Sequence, residues 1–153
     1  MVEKGVRFVQ LFHRGWDQHG SLVPHLTAQC KDTDQASAAL VTDLEQRGLL
    51  EDTLLLVMGE MGRTPKVNAR GGREHWAGVA PLLLYGGGLQ MGHVVGSTTR
   101  DGGEPASDRI TIPNLYATIM DTVLDTGTLR TMAGVPPEVQ RVIHGAEPIT
   151  QLL

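Results

Sequence analysis

The sequence predicts an α/β domain with three layers, α/β/α, in which helices cover both faces of a mostly parallel sheet. Two observations favour this class. Short apolar runs of strand length recur at residues 6–12, 53–58 and 79–85, and a helical pattern separates the first two runs. A strand, a helix and a second strand form a βαβ unit, which favours parallel pairing with a right-handed crossover. The 153 residues, 41% of them hydrophobic, suit a single domain over residues 1–153.

Two helices can be placed from their apolar spacing. Residues 26–47 carry apolar side chains three and four positions apart, and Gly48 follows as a stop signal. A second helix is predicted to start at Thr111, with Pro113 at the tolerated first turn. Its buried stripe begins at either Leu115 or Tyr116, because both positions continue at helical spacing.

The other segments are predicted to be turns, short strands or loops. Three glycines at residues 86–88 indicate a sharp turn after a buried strand, and residues 92–98 suggest a short strand or hairpin arm. Residues 99–107 are polar and rich in glycine, which is typical of an exposed loop. The tail from Gly134 contains several prolines and is predicted to be irregular.

Composition argues against several classes of partner. A net charge of −4 and a pI near 5.8 do not suit a general nucleic-acid binder, which needs a basic surface. The single Cys30 cannot form an intrachain disulfide, so the fold does not depend on an oxidising compartment. No apolar run approaches the roughly 20 residues that cross a bilayer, and the first residues lack the apolar segment of a signal peptide. We therefore expect a soluble protein with no membrane and no nucleic-acid partner.

The first candidate functional segment is the loop after residues 6–12. Asp17 and His19 lie there among glycines, and a strand would deliver both to an edge of the sheet, where α/β proteins bind ligands. Carboxylate oxygen and imidazole nitrogen suit zinc, manganese or iron. For Asp17, the alternative is an Asx-turn that caps the loop backbone. His13, in the same loop, is expected to be a hydrogen-bonded loop residue rather than a ligand.

Two later segments supply further candidate ligands. Glu60 follows the run at residues 53–58, and His75 precedes the run at residues 79–85, so strand ends bracket both side chains. A catalytic zinc usually takes three protein ligands and leaves one position open. We therefore predict a site for a divalent metal ion, zinc or manganese, whose ligands are Asp17, His19, Glu60 and His75.

Arginines accompany these ligands. Arg63, Arg70 and Arg73 belong to one loop, and their forked donors suit a phosphate, sulfate or carboxylate group. We expect Arg63 and Arg73 to act in catalysis by stabilising charge on the leaving oxygen of a substrate. The alternative for Glu60 is a structural ion pair with Arg63 or Arg73.

Four ordered blocks, at residues 15–20, 46–54, 59–65 and 73–75, carry a resemblance to a known family. With these blocks, nearly the whole chain resembles the carboxyl-terminal part of domain-of-unknown-function family 1501. That family is sulfatase-like and is placed in the alkaline-phosphatase superfamily of metal-dependent hydrolases. The resemblance implies part of the three-layer alkaline-phosphatase-like fold, with divalent metal ions held by Asp and His side chains at the strand ends.

The chain departs from the superfamily pattern in two ways. Where the superfamily has an adjacent Asp-His pair, this sequence has Glu60-Met61, whereas His75 matches the last histidine of the pattern. The superfamily nucleophile and further metal-binding acids belong to an amino-terminal half that has no counterpart here. The resemblance therefore implies a truncated or naturally short homologue.

Two functional hypotheses follow. The first is a metal-dependent hydrolase that acts on small anionic esters of phosphate or sulfate. The second is a non-catalytic α/β remnant that binds a metal or a partner chain through an open sheet edge. A homo-oligomer formed through that edge would cover its unpaired strand.

Overall fold

The computed structural model covers the whole chain, Met1–Leu153, and has a mixed α/β fold with four α-helices and three small sheets. The helices are α1 (Leu22–Gln46), α2 (Ile112–Val123), α3 (Thr126–Thr131) and α4 (Pro137–Gly145). The strands are β1 (Leu55–Met58), β2 (Gly62–Arg63), β3 (His75–Trp76), β4 (Leu82–Tyr85), β5 (Ser97–Thr98) and β6 (Pro105–Ser107). Short 3₁₀ helices span Val2–Lys4 and Thr150–Leu152.

The prediction of a mostly parallel, three-layer sheet is wrong. Each sheet has two strands, and each pair is antiparallel: β1 with β4, β2 with β3, and β5 with β6. The predicted runs at residues 53–58 and 79–85 do contain β1 and β4, but Leu55 faces Tyr85 and Met58 faces Leu82. Between them lies the β2–β3 hairpin instead of the helix that a parallel crossover needs.

The predicted first strand at residues 6–12 is also wrong. The segment has no regular secondary structure and belongs to none of the sheets. Phe8, Leu11 and Phe12 leave 81%, 83% and 87% of their surface exposed. A β-forming composition reflects how well side chains pack on a half-buried sheet, and this segment pairs with no strand. The predicted βαβ unit is therefore absent.

Both predicted helices are present. Helix α1 begins at Leu22, earlier than expected, and ends before Gly48, whose φ of +65° suits a helix stop. Its apolar stripe is largely uncovered, since only Leu44 is buried. Helix α2 begins with a capping box formed by Thr111 and Asn114, and its buried stripe starts at Leu115.

Two later segments are more regular than predicted. The tail from Gly134 contains α4, because Pro136 and Pro137 stand at the start of a helix, where proline costs no hydrogen bond. The predicted hairpin arm is confirmed in β5. Its partner β6 lies within the predicted loop at residues 99–107, so that part of the loop prediction is wrong.

The core lies among β1, β4 and the carboxyl-terminal elements. Leu89, Ile149 and Leu152 form its centre, and Leu54 and Leu84 pack against them. The glycine turn after β4 confirms the predicted sharp turn, with positive φ at all three glycines. No helix of the structure has the length and the apolar character that a membrane span requires.

Candidate metal centre

Three of the predicted ligands meet at one point of the surface. The Nε2 atoms of His19 and His75 each lie 2.9 Å from Oδ1 of Asp17 and 3.3 Å from one another. A tetrahedral zinc ion with bonds of about 2.0–2.1 Å holds its ligand atoms roughly 3.3 Å apart. The three atoms therefore match the spacing around a single ion to within a few tenths of an ångström, and their donor set of two imidazoles and one carboxylate suits zinc chemically.

The site is open to solvent. The side chains of Asp17, His19 and His75 leave 58%, 34% and 51% of their surface exposed. Three protein ligands around an exposed position leave room for water or a substrate atom, as catalytic sites require.

The β2–β3 hairpin positions one half of the site. Arg63 and His75 are paired across the two strands, so both side chains project from the same face toward Asp17. Gly62 is buried beside them, and a Cβ atom there would lie 1.7 Å from the carbonyl oxygen of Val79. Only glycine allows the hairpin to sit this close to the following segment.

The other half of the site is held by backbone contacts between two loops. The backbone N–H of Arg73 donates to the carbonyl of Gln18 at 3.0 Å, and the N–H of Ser21 donates to the carbonyl of Arg70 at 3.2 Å. Gly72 lies directly against His19, where a Cβ atom would come 2.1 Å from the His19 carbonyl carbon. These contacts fix the loop of Asp17 and His19 against the segment that leads into β3.

Positive charge and hydrogen-bond donors converge on Asp17. Its Oδ1 accepts a hydrogen bond from Nη1 of Arg63, and both imidazoles face the same oxygen. The hydrogen bonds from Arg63 and His75 lower the pKa of the Asp17 carboxyl to about 2. This residue is therefore ionised at any physiological pH. Its carboxylate contacts side chains here rather than capping the loop backbone, which was the alternative from sequence.

Glu74 is a member of the site that sequence reasoning missed. Its Oε2 contacts Nδ1 of His19, the ring nitrogen opposite the one that faces Asp17. Hydrogen bonds from Asn68 and His19 lower the pKa of the Glu74 carboxyl. The sequence signal that could have identified Glu74 is its position directly before His75, because a carboxylate next to one ligand can reach another histidine of the same site.

The remaining predicted residues lie around the three ligands rather than among them. Glu60 does not join the converging group, and its Oε1 pairs with Nη2 of Arg63 at 3.4 Å, as the alternative from sequence expected. The Arg73 guanidinium donates through Nη1 to two backbone carbonyls at 2.8 Å, those of Thr64 and Pro65. His13 accepts a hydrogen bond from the indole of Trp16 at 3.0 Å, which fits its expected role as a loop residue.

Comparison with known proteins identifies the family of the chain. The family model described as protein of unknown function (DUF1501) matches residues 1–153, which is the entire chain. No curated protein and no solved structure matches it. The chain therefore belongs to the DUF1501 family.

Proposed function

We propose that this chain is a metal-dependent hydrolase of phosphate or sulfate esters, of the sulfatase-like kind found in the alkaline-phosphatase superfamily. The observation that carries the proposal is the convergence of Asp17, His19 and His75, whose ligand atoms all lie within 4.8 Å of one another. The substrate class follows from the charge beside them, since a guanidinium next to a cation site favours a small anionic ester.

The roles of the residues follow from their contacts. Asp17, His19 and His75 would hold a divalent ion, zinc or manganese. When bound, such an ion polarises an ester oxygen and activates water. Arg63 touches Asp17 through one terminal nitrogen and Glu60 through the other, so its fork is already oriented beside the three ligands. In that position it can bind the anionic group of the substrate and stabilise charge on the leaving oxygen.

Metal content is the first test. Purified protein is expected to carry one zinc or manganese ion per chain by elemental analysis, and the Asp17→Asn and His75→Ala variants are expected to lose it. Matched controls are Asp34→Asn and His93→Ala, which change the same residue types at exposed positions outside the site. Retention of the ion by both site variants would contradict the ligand assignment.

Ester hydrolysis is the second test. Turnover of aryl phosphate or aryl sulfate esters is expected to stop with a chelator and to return when zinc or manganese is added. Metal binding without turnover of either ester class would contradict the hydrolase proposal but not the metal site.

A second candidate function is association with another copy of the chain, and the exposed surface favours it. The chain exposes 11,012 Å², whereas a compact monomer of 16.5 kDa is expected to expose about 7,500 Å². The excess of roughly 3,500 Å² far exceeds the roughly 800 Å² that each partner buries in a standard interface.

Two exposed features are complementary between copies. Residues 6–12 form an unpaired segment of β-forming residues, and the two-stranded β1–β4 sheet has unpaired outer edges with exposed Val57 and Leu83 facing each other across it. Exchange of this segment between two copies would satisfy both features at once.

The mass in solution tests this second candidate. Light scattering during gel filtration is expected to give a dimer, and Phe8→Glu is expected to dissociate it, whereas the neighbouring Arg7→Ala leaves it intact. A monomer at micromolar concentration would contradict the proposal.

A further inference from the structure

We infer that Glu74 is a positioning residue of the metal centre, which holds the His19 ring with its proton on Nδ1 and so directs the lone pair of Nε2 toward the ion. The inference about the ion rests on the proposed function. The inference about the ring does not, because it concerns contacts made by the chain alone.

The two ring nitrogens of His19 have different neighbours. Nδ1 contacts Oε2 of Glu74, and Nε2 lies 2.9 Å from Oδ1 of Asp17 and 3.3 Å from Nε2 of His75. Oδ1 of Asp17 is also the acceptor for Arg63 and His75, whereas Oε2 of Glu74 accepts only from His19. A neutral imidazole has one N–H to donate. The oxygen with no competing donor is the stronger partner, which assigns that proton to Nδ1.

The Glu74 carboxylate is itself held in place. Its other oxygen, Oε1, accepts from the side-chain amide of Asn68 and from Nη2 of Arg70 at 3.2 Å. The same Asn68 amide donates to the backbone carbonyl of His19 at 3.0 Å. The Asn68 amide therefore contacts both the Glu74 carboxylate and the His19 backbone, and holds them close together.

The backbone of Glu74 is fixed as well. Its N–H donates to Oγ1 of Thr64 at 3.1 Å, and its carbonyl accepts from the N–H of Thr64 at 2.9 Å. The orientation of the carboxylate therefore follows from the loop and does not need an ion. Histidine ligands usually donate their second N–H to such a group, and loss of that partner typically lowers metal affinity by about 10- to 100-fold.

The test combines a ring measurement with a metal measurement on Glu74→Gln, Glu74→Asp and a control, Arg70→Gln. Arg70→Gln removes the arginine contact to Oε1 but leaves the Asn68 contact that holds this oxygen and the other oxygen, Oε2, that faces His19. Nitrogen NMR of the imidazoles in metal-free protein at about pH 9, where histidine is normally neutral, reports which ring nitrogen of His19 carries the proton. The His19 signal is assigned by its loss in His19→Ala.

The expected result is an Nδ1–H ring in the wild type and in Arg70→Gln, and a mixture of the two tautomers in Glu74→Gln. Zinc affinity measured by competition titration is expected to fall about 10- to 100-fold in Glu74→Gln and to change less than twofold in Arg70→Gln. Glu74→Asp keeps the charge on a shorter side chain and is expected to restore part of the Nδ1–H signal. The Nδ1–H signal of Glu74→Asp therefore still tests the inference if Glu74→Gln fails to fold.

An Nε2–H ring in the wild type would overturn the inference, as would an unchanged tautomer and affinity in Glu74→Gln. If the wild type has the Nδ1–H ring but binds no zinc or manganese, the proposed metal function fails while the assignment of the ring stands.

Discussion

Replacement of Gly72 by alanine tests whether the site depends on the close contact between its two loops. The added Cβ would lie 2.1 Å from the carbonyl carbon of His19, and ordinary contact begins at 3.4 Å, so the loops must separate by 3.4 − 2.1 = 1.3 Å. Metal–ligand distances tolerate only about 0.2 Å. We therefore expect zinc affinity to fall by about tenfold or more, as it does when ligand support is lost.

The stability of Gly72→Ala should fall as well. Overpacking costs about 1–3 kcal/mol. Unfolding entropies near 2.1 cal/mol/K per residue give about 320 cal/mol/K for a chain of this length, so the Tm is expected to drop by about 3–9 °C. Differential scanning calorimetry of metal-free protein measures that drop, and competition titration measures the affinity.

The neighbouring glycine gives a matched control for this substitution. Gly71 has a φ of +70° and no atom within 4 Å of its Cβ position. Gly71→Ala should therefore lose about 1–2 kcal/mol to backbone strain while keeping zinc affinity. If Gly72→Ala binds zinc as tightly as Gly71→Ala does, the contact with His19 does not set the geometry of the site.

Three further predictions concern the core, a helix cap and the arginines. Thr118 is fully buried and its hydroxyl accepts from the N–H of Ile149 at 2.8 Å, so Thr118→Val should cost about 1–3 kcal/mol in urea unfolding; an unchanged midpoint would contradict this. Asp125 accepts hydrogen bonds from the first turn of α3, which lower its pKa below the ordinary 3.8. Its stabilisation is therefore complete above pH 3.8 and is lost as the pH falls through the lowered value. The difference in the free energy of unfolding between wild type and Asp125→Ala should become smaller as the pH falls. A constant difference from pH 7 to pH 2.5 would refute this role of Asp125. Arg63→Gln should weaken the binding of sulfate or phosphate to the metal-loaded protein. Arg73→Gln should lower the Tm instead, because Arg73 donates to two backbone carbonyls. A larger loss of anion affinity in Arg73→Gln than in Arg63→Gln, measured by calorimetric titration, would contradict these roles.

Local patterns in the sequence predicted the helices better than the sheets. Helices α1 and α2 follow from spacing and capping within one segment, and both are present. Strand pairing depends on partners that sequence does not specify. The β-forming run at residues 6–12 has no partner strand, and β1 and β4 pair antiparallel. The prolines of the tail predict an irregular segment, but Pro136 and Pro137 stand at the start of α4, where proline is favoured.

The site was predictable to the extent that its chemistry is local. Asp17 and His19 share one loop, and their residue types and spacing singled them out. The place of His75 between expected strand ends predicts it as a ligand, and it also matches the last histidine of the superfamily pattern, but its approach to Asp17 depends on how two loops pack. Whether Glu60 or Glu74 faces the histidines is decided by contacts such as that of Asn68 with Glu74, which no spacing rule contains.

A shared carboxylate would couple the proposed cation site to the proposed anion site. Oδ1 of Asp17 is the point at which Arg63, His19 and His75 all meet, so without an ion the guanidinium supplies the positive charge that this oxygen needs. A divalent ion held by the same oxygen would take over that charge. Arg63 would then keep only its longer contact to Glu60, at 3.4 Å, and the Nη1 donor released from Asp17 would be free to bind an anion. A cation bound to Asp17 would leave the positive charge of Arg63 without its partner, and an anion bound to Arg63 would balance that charge. Cation binding and anion binding should therefore each raise the affinity for the other.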